Sequence, residues 1–109
     1  MQTDLPSPVR AYLAAEKAKD SAALARCFDA HGVVRDEGQE HVGVAAIEAW
    51  HRAANAKVRY VVELLGASNS GADVVVHTRV RGDFPTSPAE LRQRFTLEGD
   101  RIVVLEVGP

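Results

Sequence analysis

The hydrophobic period changes once along this chain, near Lys57, and that change constrains the fold more than any motif does. Before it, apolar residues recur three and four positions apart. After it they recur at every second position. A chain of 109 residues with this division has the length of one domain, residues 1–109, built from helices first and strands afterwards.

In the first half, Ser7-Pro8 reads as a cap followed by proline at the first helical position. Val9, Tyr12, Leu13 and Glu16 then follow helical spacing, and Val9, Tyr12 and Leu13 are assigned to the inner face of a helix from Pro8 to about residue 18. Asp20-Ser21 caps a second, short helix whose buried side carries Leu24, Cys27 and Phe28, with His31-Gly32 as its end. Val33 to Asp36 is a short strand, and Gly38 and Gly43 bracket a loop. A third helix spans Val44 to Ala56, with Ile47, Trp50, His51 and Ala54 on one face.

In the second half, Lys57 to Leu65 alternates as a strand, and Asn69-Ser70-Gly71 is a turn. Ala72 to Asp83 and Glu90 to Glu98 are the next strands, separated by Pro85-Thr86-Ser87-Pro88. Gly99-Asp100 fits a type II′ hairpin leading into a last strand from Arg101 to Val107. Three helices with one short strand among them, then a four-stranded antiparallel meander, make an α+β layer fold. Long twisted strands curl around helices and leave a concave, pocket-bearing face.

Composition narrows the function. A net charge of −2 gives no overall basic signal for nucleic acid or an acidic membrane surface. The apolar runs are far shorter than a membrane span. The segment Met1–Pro6 has neither the basic nor the apolar region of a secretion signal, and one cysteine, Cys27, excludes an internal disulfide. A cytoplasmic protein is expected. The histidines His31, His41, His51 and His77 show no ligand spacing, so no metal and no cofactor is expected.

Asp36 is the candidate catalytic base. A carboxylate in an apolar pocket is desolvated, which makes it a better base near neutral pH. The alternative is a strand-end carboxylate that accepts backbone N–H groups in the turn at Glu37-Gly38. Tyr12 is either a pocket-lining donor or an amphipathic core residue. Gln93 stands alone among Leu91, Phe95 and Leu97, so it either binds a ligand or ties two strands together. His51 is a site residue or a satisfied half-buried histidine. Trp50, Tyr60, Phe28 and Phe95 are core, and those that reach the concave face supply its apolar wall.

Several segments together carry a resemblance. They are Tyr12-Leu13-Ala14-Ala15 before Lys19-Asp20, Cys27-Phe28 before Val34-Arg35-Asp36, Gly43-Val44-Ala45-Ala46-Ile47-Glu48-Ala49-Trp50, and Phe95-Thr96-Leu97-Glu98-Gly99-Asp100-Arg101-Ile102. The chain resembles the SnoaL-like branch of the nuclear transport factor 2-like superfamily, which includes ketosteroid isomerase. The resemblance spans about Val9 to Val107 and implies a cystatin-like cone of curved sheet on helices with an internal, mostly apolar pocket. It implies Asp36 in the position of that isomerase's general base and Tyr12 in that of its oxyanion-hole tyrosine. His51 falls where some members carry a supporting tyrosine. Gln93 stands in place of a second donor, a protonated aspartic acid, and Phe28 in place of another tyrosine.

The function expected is therefore isomerisation, cyclisation or dehydration of a hydrophobic carbonyl compound. A domain that only binds an apolar ligand or a partner protein is the alternative. On the outer sheet face, His77, Arg79, Arg81, Arg92 and Arg94 are expected to make a basic surface shared with Val61 and Val75. An apolar patch of that kind, together with the resemblance, points to a homodimer through this face rather than to nucleic acid, for which aromatic residues are missing.

Overall fold

A computed structural model describes residues 5–109. Met1–Asp4, on which the expectation of no secretion signal partly rests, lie outside the described residues. The elements run α1 (Ser7–Ala18), α2 (Ser21–Ala25), β1 (Phe28–Asp36), β2 (Gln39–Val42), α3 (Val44–Lys57), β3 (Tyr60–Ser70), β4 (Asp73–Gly82), β5 (Ala89–Glu98) and β6 (Arg101–Gly108). The strands form one curved, unclosed sheet in the order β2-β1-β6-β5-β4-β3. Helices α1 and α3 pack against one face of it, and α2 packs against both of them.

The sheet is mixed, not purely antiparallel. β6 returns alongside β1 in the same direction, pairing Val33 with Val104 and Val34 with Leu105. β3, β4, β5 and β6 form the expected antiparallel meander.

Four local expectations are corrected. Pro6 caps α1 and Ser7 makes no side-chain cap; its hydroxyl accepts from Arg10 instead. The second helix stops at Ala25, and Phe28 opens β1 rather than closing a helix. β1 bulges between Phe28 and Val33, where the Asp29 carboxylate accepts from the His31 N–H at 2.9 Å. Gly32 sits inside that bulge because an added Cβ would lie 3.0 Å from the Asp29 carbonyl oxygen. The segment Gln39–Val42, expected as loop, pairs with β1 through a two-residue turn at Glu37-Gly38, both at positive φ, a type I′ geometry. The β3–β4 turn falls at Gly71-Ala72, so Asn69 and Ser70 belong to the strand.

Asp20 caps α2 as expected, accepting from the Ala23 N–H at 3.0 Å. Gly99, at φ +58, supplies the single positive φ that a type II′ hairpin needs. Between sheet and helices lies a core that includes Val9, Leu24, Val34, Ile47, Val76, Phe95, Ile102 and Leu105, each fully buried. Ile47 and His51 are the buried residues of α3, with Trp50 and Ala54 half-buried beside them on the expected face.

The outer face is not basic. Arg79 and Arg81 both reach Glu63, at 3.5 and 2.9 Å, and Arg94 reaches Asp73 at 2.7 Å. Arg35 lies between Glu40 and Glu106. Acids and bases alternate because cross-strand neighbours place Glu63 opposite Arg79 and Glu106 opposite Arg94. Such exposed pairs contribute only about 0–1 kcal/mol each.

Candidate functional site

The concave side of the sheet and the inner faces of α1 and α3 enclose a cavity of about 370 Å³. That lies within the range of small-molecule sites, about 300–1,000 Å³. Val62, Val80, Leu91 and Val107 supply apolar wall from four strands, and Phe84 stands beside them from the β4–β5 connection.

Asp36 is half-buried at the end of β1 and lines this cavity. It sits there because β1 alternates: Val34 and Asp36 face inward while Arg35 faces out to Glu40 and Glu106. The Trp50 indole N–H donates to Asp36 Oδ2 at 3.1 Å, which orients the carboxylate from α3.

Tyr12 lies against the same cavity from α1. Its ring packs edge-on against Phe95, with centroids 5.1 Å apart, and against Phe28 at 6.1 Å. Burial first, then the negative charges of Glu16 and Asp36, push its phenol well above the usual range. It therefore keeps its proton at neutral pH and is a donor, not a base. Tyr60 is also pushed up, first by burial and then by the neighbouring Glu16 carboxylate.

Gln93 is buried on β5 and lines the cavity. Its Oε1 has no partner among the described residues, so it does not tie two strands together through that atom.

Six of the eight residues singled out from the sequence thus meet at one cavity: Asp36, Tyr12, Gln93, Trp50, His51 and Tyr60. Phe28 and Phe95 do not line it. They stand behind Tyr12 in the core because the ring of Tyr12 covers them.

Glu16 was missed as a site residue. It is only 8% exposed, lines the cavity, and accepts from His51 Nε2 at 2.5 Å. The signal was its spacing: one helical turn after Tyr12 on the same face. Phe84 left no periodic signal, because it lies in the Pro-rich connection.

Among the described residues, no group of three or more His, Cys, Asp or Glu is placed to hold a metal ion. No described helix is long and apolar enough to cross a membrane. Burial pushes the Cys27 thiol up, away from reactive thiolate.

A curved sheet on three helices around one cavity is the nuclear transport factor 2-like fold. The SnoaL-like domain family matches residues 9–105, and the chain belongs to that family. A proposed polyketide cyclase from Sinorhizobium meliloti is 40% identical over 96% of each chain, with a TM-score of 0.92. A protein of ketosteroid isomerase-like fold from Catenulispora acidiphila, crystallised with trimethylamine, is 21% identical. It matches over 97% of this chain and 87% of its own, with a TM-score of 0.84. A cystatin-fold protein from Novosphingobium aromaticivorans is 17% identical over 97% of this chain and 100% of its own, with a TM-score of 0.83. The last two likenesses show the fold alone. No curated protein matches the sequence.

Proposed function

We propose that this chain is a cofactor-independent enzyme that moves a proton on a hydrophobic carbonyl compound. Asp36 takes a proton from the carbon next to the carbonyl. The enolate oxygen that forms is held by the Tyr12 hydroxyl and the Gln93 amide. The reaction class is isomerisation, cyclisation or dehydration, and the likeness to a proposed polyketide cyclase favours cyclisation or dehydration of a ring-forming polyketide.

The carrying observation is the Asp36 carboxylate held by Trp50 at 3.1 Å in an apolar cavity. A carboxylate so oriented is pre-positioned for a substrate C–H, and proton transfer by a positioned base accelerates such steps by about 10²–10⁴-fold.

Two measurements test this. The first is fluorescence binding of 2-naphthol, whose naphtholate resembles a ring enolate, to the wild type and to Tyr12→Phe. The second is exchange of the α-protons of 2-tetralone for deuterium in D₂O, followed by NMR. Wild type should bind naphthol more tightly than Tyr12→Phe and should exchange the ketone, and Asp36→Asn should not. Exchange that survives Asp36→Asn sinks the catalytic role of Asp36.

A second reading is a domain that binds an apolar ligand without turning it over. It is favoured by Gln93, whose amide is a weaker donor than a carboxylic acid. It predicts naphthol binding with no ketone exchange in any variant.

A further inference from the structure

A chain of polar side chains runs behind the cavity and out of the other side of the helices. Its inner end is Glu16 on α1, which lines the cavity beside Tyr60 of β3. Glu16 meets His51 Nε2 on α3 at 2.5 Å, and His51 Nδ1 meets the Ser21 hydroxyl at 2.6 Å. Glu16, His51 and Tyr60 line the cavity. Ser21 and Asn55 line a separate surface basin, together with Lys19, Asp20 and Arg52.

The directions of these bonds follow from the groups. An ionised Glu16 only accepts, so His51 donates from Nε2. Nδ1 is then an acceptor, and Ser21 donates to it. Asn55 Nδ2, 3.4 Å from the same Nδ1, is consistent with that tautomer. The Asn55 Oδ1 is buried without a partner among the described residues. Rotation of the amide would bring an acceptor to Nδ1, and the Ser21 hydroxyl can turn in the same way. Both neighbours of Nδ1 thus serve either tautomer of the ring.

A purely structural contact gains little from this choice of residues. A buried carboxylate and imidazole are costly to desolvate and contribute no more than apolar groups of the same size would. Three elements are instead spent on connecting the cavity to solvent through groups that exchange protons.

We infer that Glu16 is a second proton-transfer residue of the cavity, and that His51 and Ser21 are positioning residues that recharge it from the surface basin. The inference rests on the cavity being the site of proton transfer proposed above. It adds an acid on the oxygen side of the substrate to the base on its carbon side.

The step balances as a proton relay with no electron transfer. Ser21 gives its hydroxyl proton to His51 Nδ1 and takes one from basin water. His51 Nε2 gives its proton to Glu16. Glu16 passes that proton to the ligand oxyanion in the cavity. One O–H bond forms on the ligand, one proton leaves water, and Glu16 returns to its ionised form. His51 is left with its proton on Nδ1, and when the ligand gives up its O–H proton the reverse sequence returns a proton to basin water and restores the Nε2 proton, so the relay closes its cycle.

Charges bear on this dyad from each element around it. Lys19, the residue that caps the end of α1, lies 3.8 Å from Glu16, with its ammonium 3.5 Å from the centre of the Tyr60 ring. Across the cavity the Asp36 carboxylate bears on the same two phenols, Tyr12 and Tyr60, as Glu16 does. Asp20 and Arg52 face the basin end.

The test is the rate of 2-tetralone exchange in wild type, Glu16→Gln, Ser21→Ala and Asp36→Asn. Glu16→Gln, which can still accept from His51, should slow exchange about tenfold or more. Ser21→Ala should slow it by less. A Glu16→Gln rate equal to wild type overturns the inference, and loss of exchange in Asp36→Asn in the same assay would leave the first reading standing.

A measurement without turnover is the ¹⁵N spectrum of the His51 ring. Saturating 2-naphthol should shift it towards the Nδ1-protonated tautomer in wild type and not in Glu16→Gln. An unchanged ring in wild type overturns the inference. If wild type neither exchanges the ketone nor shifts His51, both readings fail together.

Discussion

Trp50 on α3 donates its indole N–H to the Asp36 carboxylate on β1 at 3.1 Å, across fourteen residues of chain. The bond crosses the Glu37-Gly38 turn, the short strand β2 and the start of α3. It makes the orientation of the candidate base depend on the packing of a helix. Trp50→Phe keeps most of the apolar volume and removes the donor. Exchange of 2-tetralone should fall about tenfold with little change in naphthol affinity, since a loosened carboxylate loses alignment rather than binding surface. Unchanged turnover in Trp50→Phe would mean that Asp36 needs no such orientation.

Tyr12 and Tyr60 keep their protons in the folded chain to higher pH than when unfolded. Above the ordinary tyrosine value of 10.0 the unfolded state therefore binds fewer protons, and stability falls as pH rises. Below it neither phenol contributes a slope. The raised thiol of Cys27 acts in the same direction from its ordinary value of 9.0. Urea midpoints should fall steeply above about pH 10. Tyr12→Phe should make that decline shallower while leaving stability near neutral pH little changed. An equal decline in Tyr12→Phe would remove Tyr12 as a cause.

Gly82 ends β4 opposite Tyr60, and an added Cβ would lie 2.2 Å from the Arg59 carbonyl oxygen and 2.8 Å from the Tyr60 Cβ. Neither backbone can yield without moving the start of β3. Gly82→Ala should cost upwards of about 2 kcal/mol in chemical denaturation and weaken naphthol binding by displacing Tyr60. A stable variant with wild-type binding would show that β3 shifts without reaching the cavity.

Phe95 is fully buried and carries the ring of Tyr12 on its edge. Phe95→Ala should cost about 3–5 kcal/mol from the lost transfer energy and the void it leaves. If the variant remains folded, naphthol affinity should fall too, because Tyr12 loses its support. Destabilisation with unchanged affinity would separate the core from the site.

On the outer face, Val61 is 69% and Val42 58% exposed, at opposite edges of a sheet whose charges alternate in sign. Self-association through this face would bury both and pair complementary charges. Sedimentation should show a dimer that Arg79→Glu or Arg92→Glu dissociates. The same sedimentation coefficient in both variants and wild type would remove this face as an interface.

Periodicity alone determined the three helices, the four-strand meander and the faces that Tyr12, Trp50, His51 and Gln93 present, because a 3.6- or two-residue repeat is a local property of the chain. The same repeat placed Glu16 beside Tyr12, although a charged residue on an inner face reads as exposed until something is seen to pair with it. What local pattern could not supply was the identity of partners distant in sequence. The parallel pairing of β1 with β6 needs residues more than 70 apart to find one register. β2 is four residues long with no apolar alternation, and only the turn at Glu37-Gly38 and the waiting edge of β1 make it a strand. The alternating charges of the outer face depend on cross-strand register, so a row of arginines in sequence became a lattice of pairs. The site follows the same division. Sequence placed a carboxylate at the end of an inward-facing strand; tertiary packing alone brought Trp50 to that carboxylate and joined Glu16, His51 and Ser21 from three helices into one hydrogen-bonded chain.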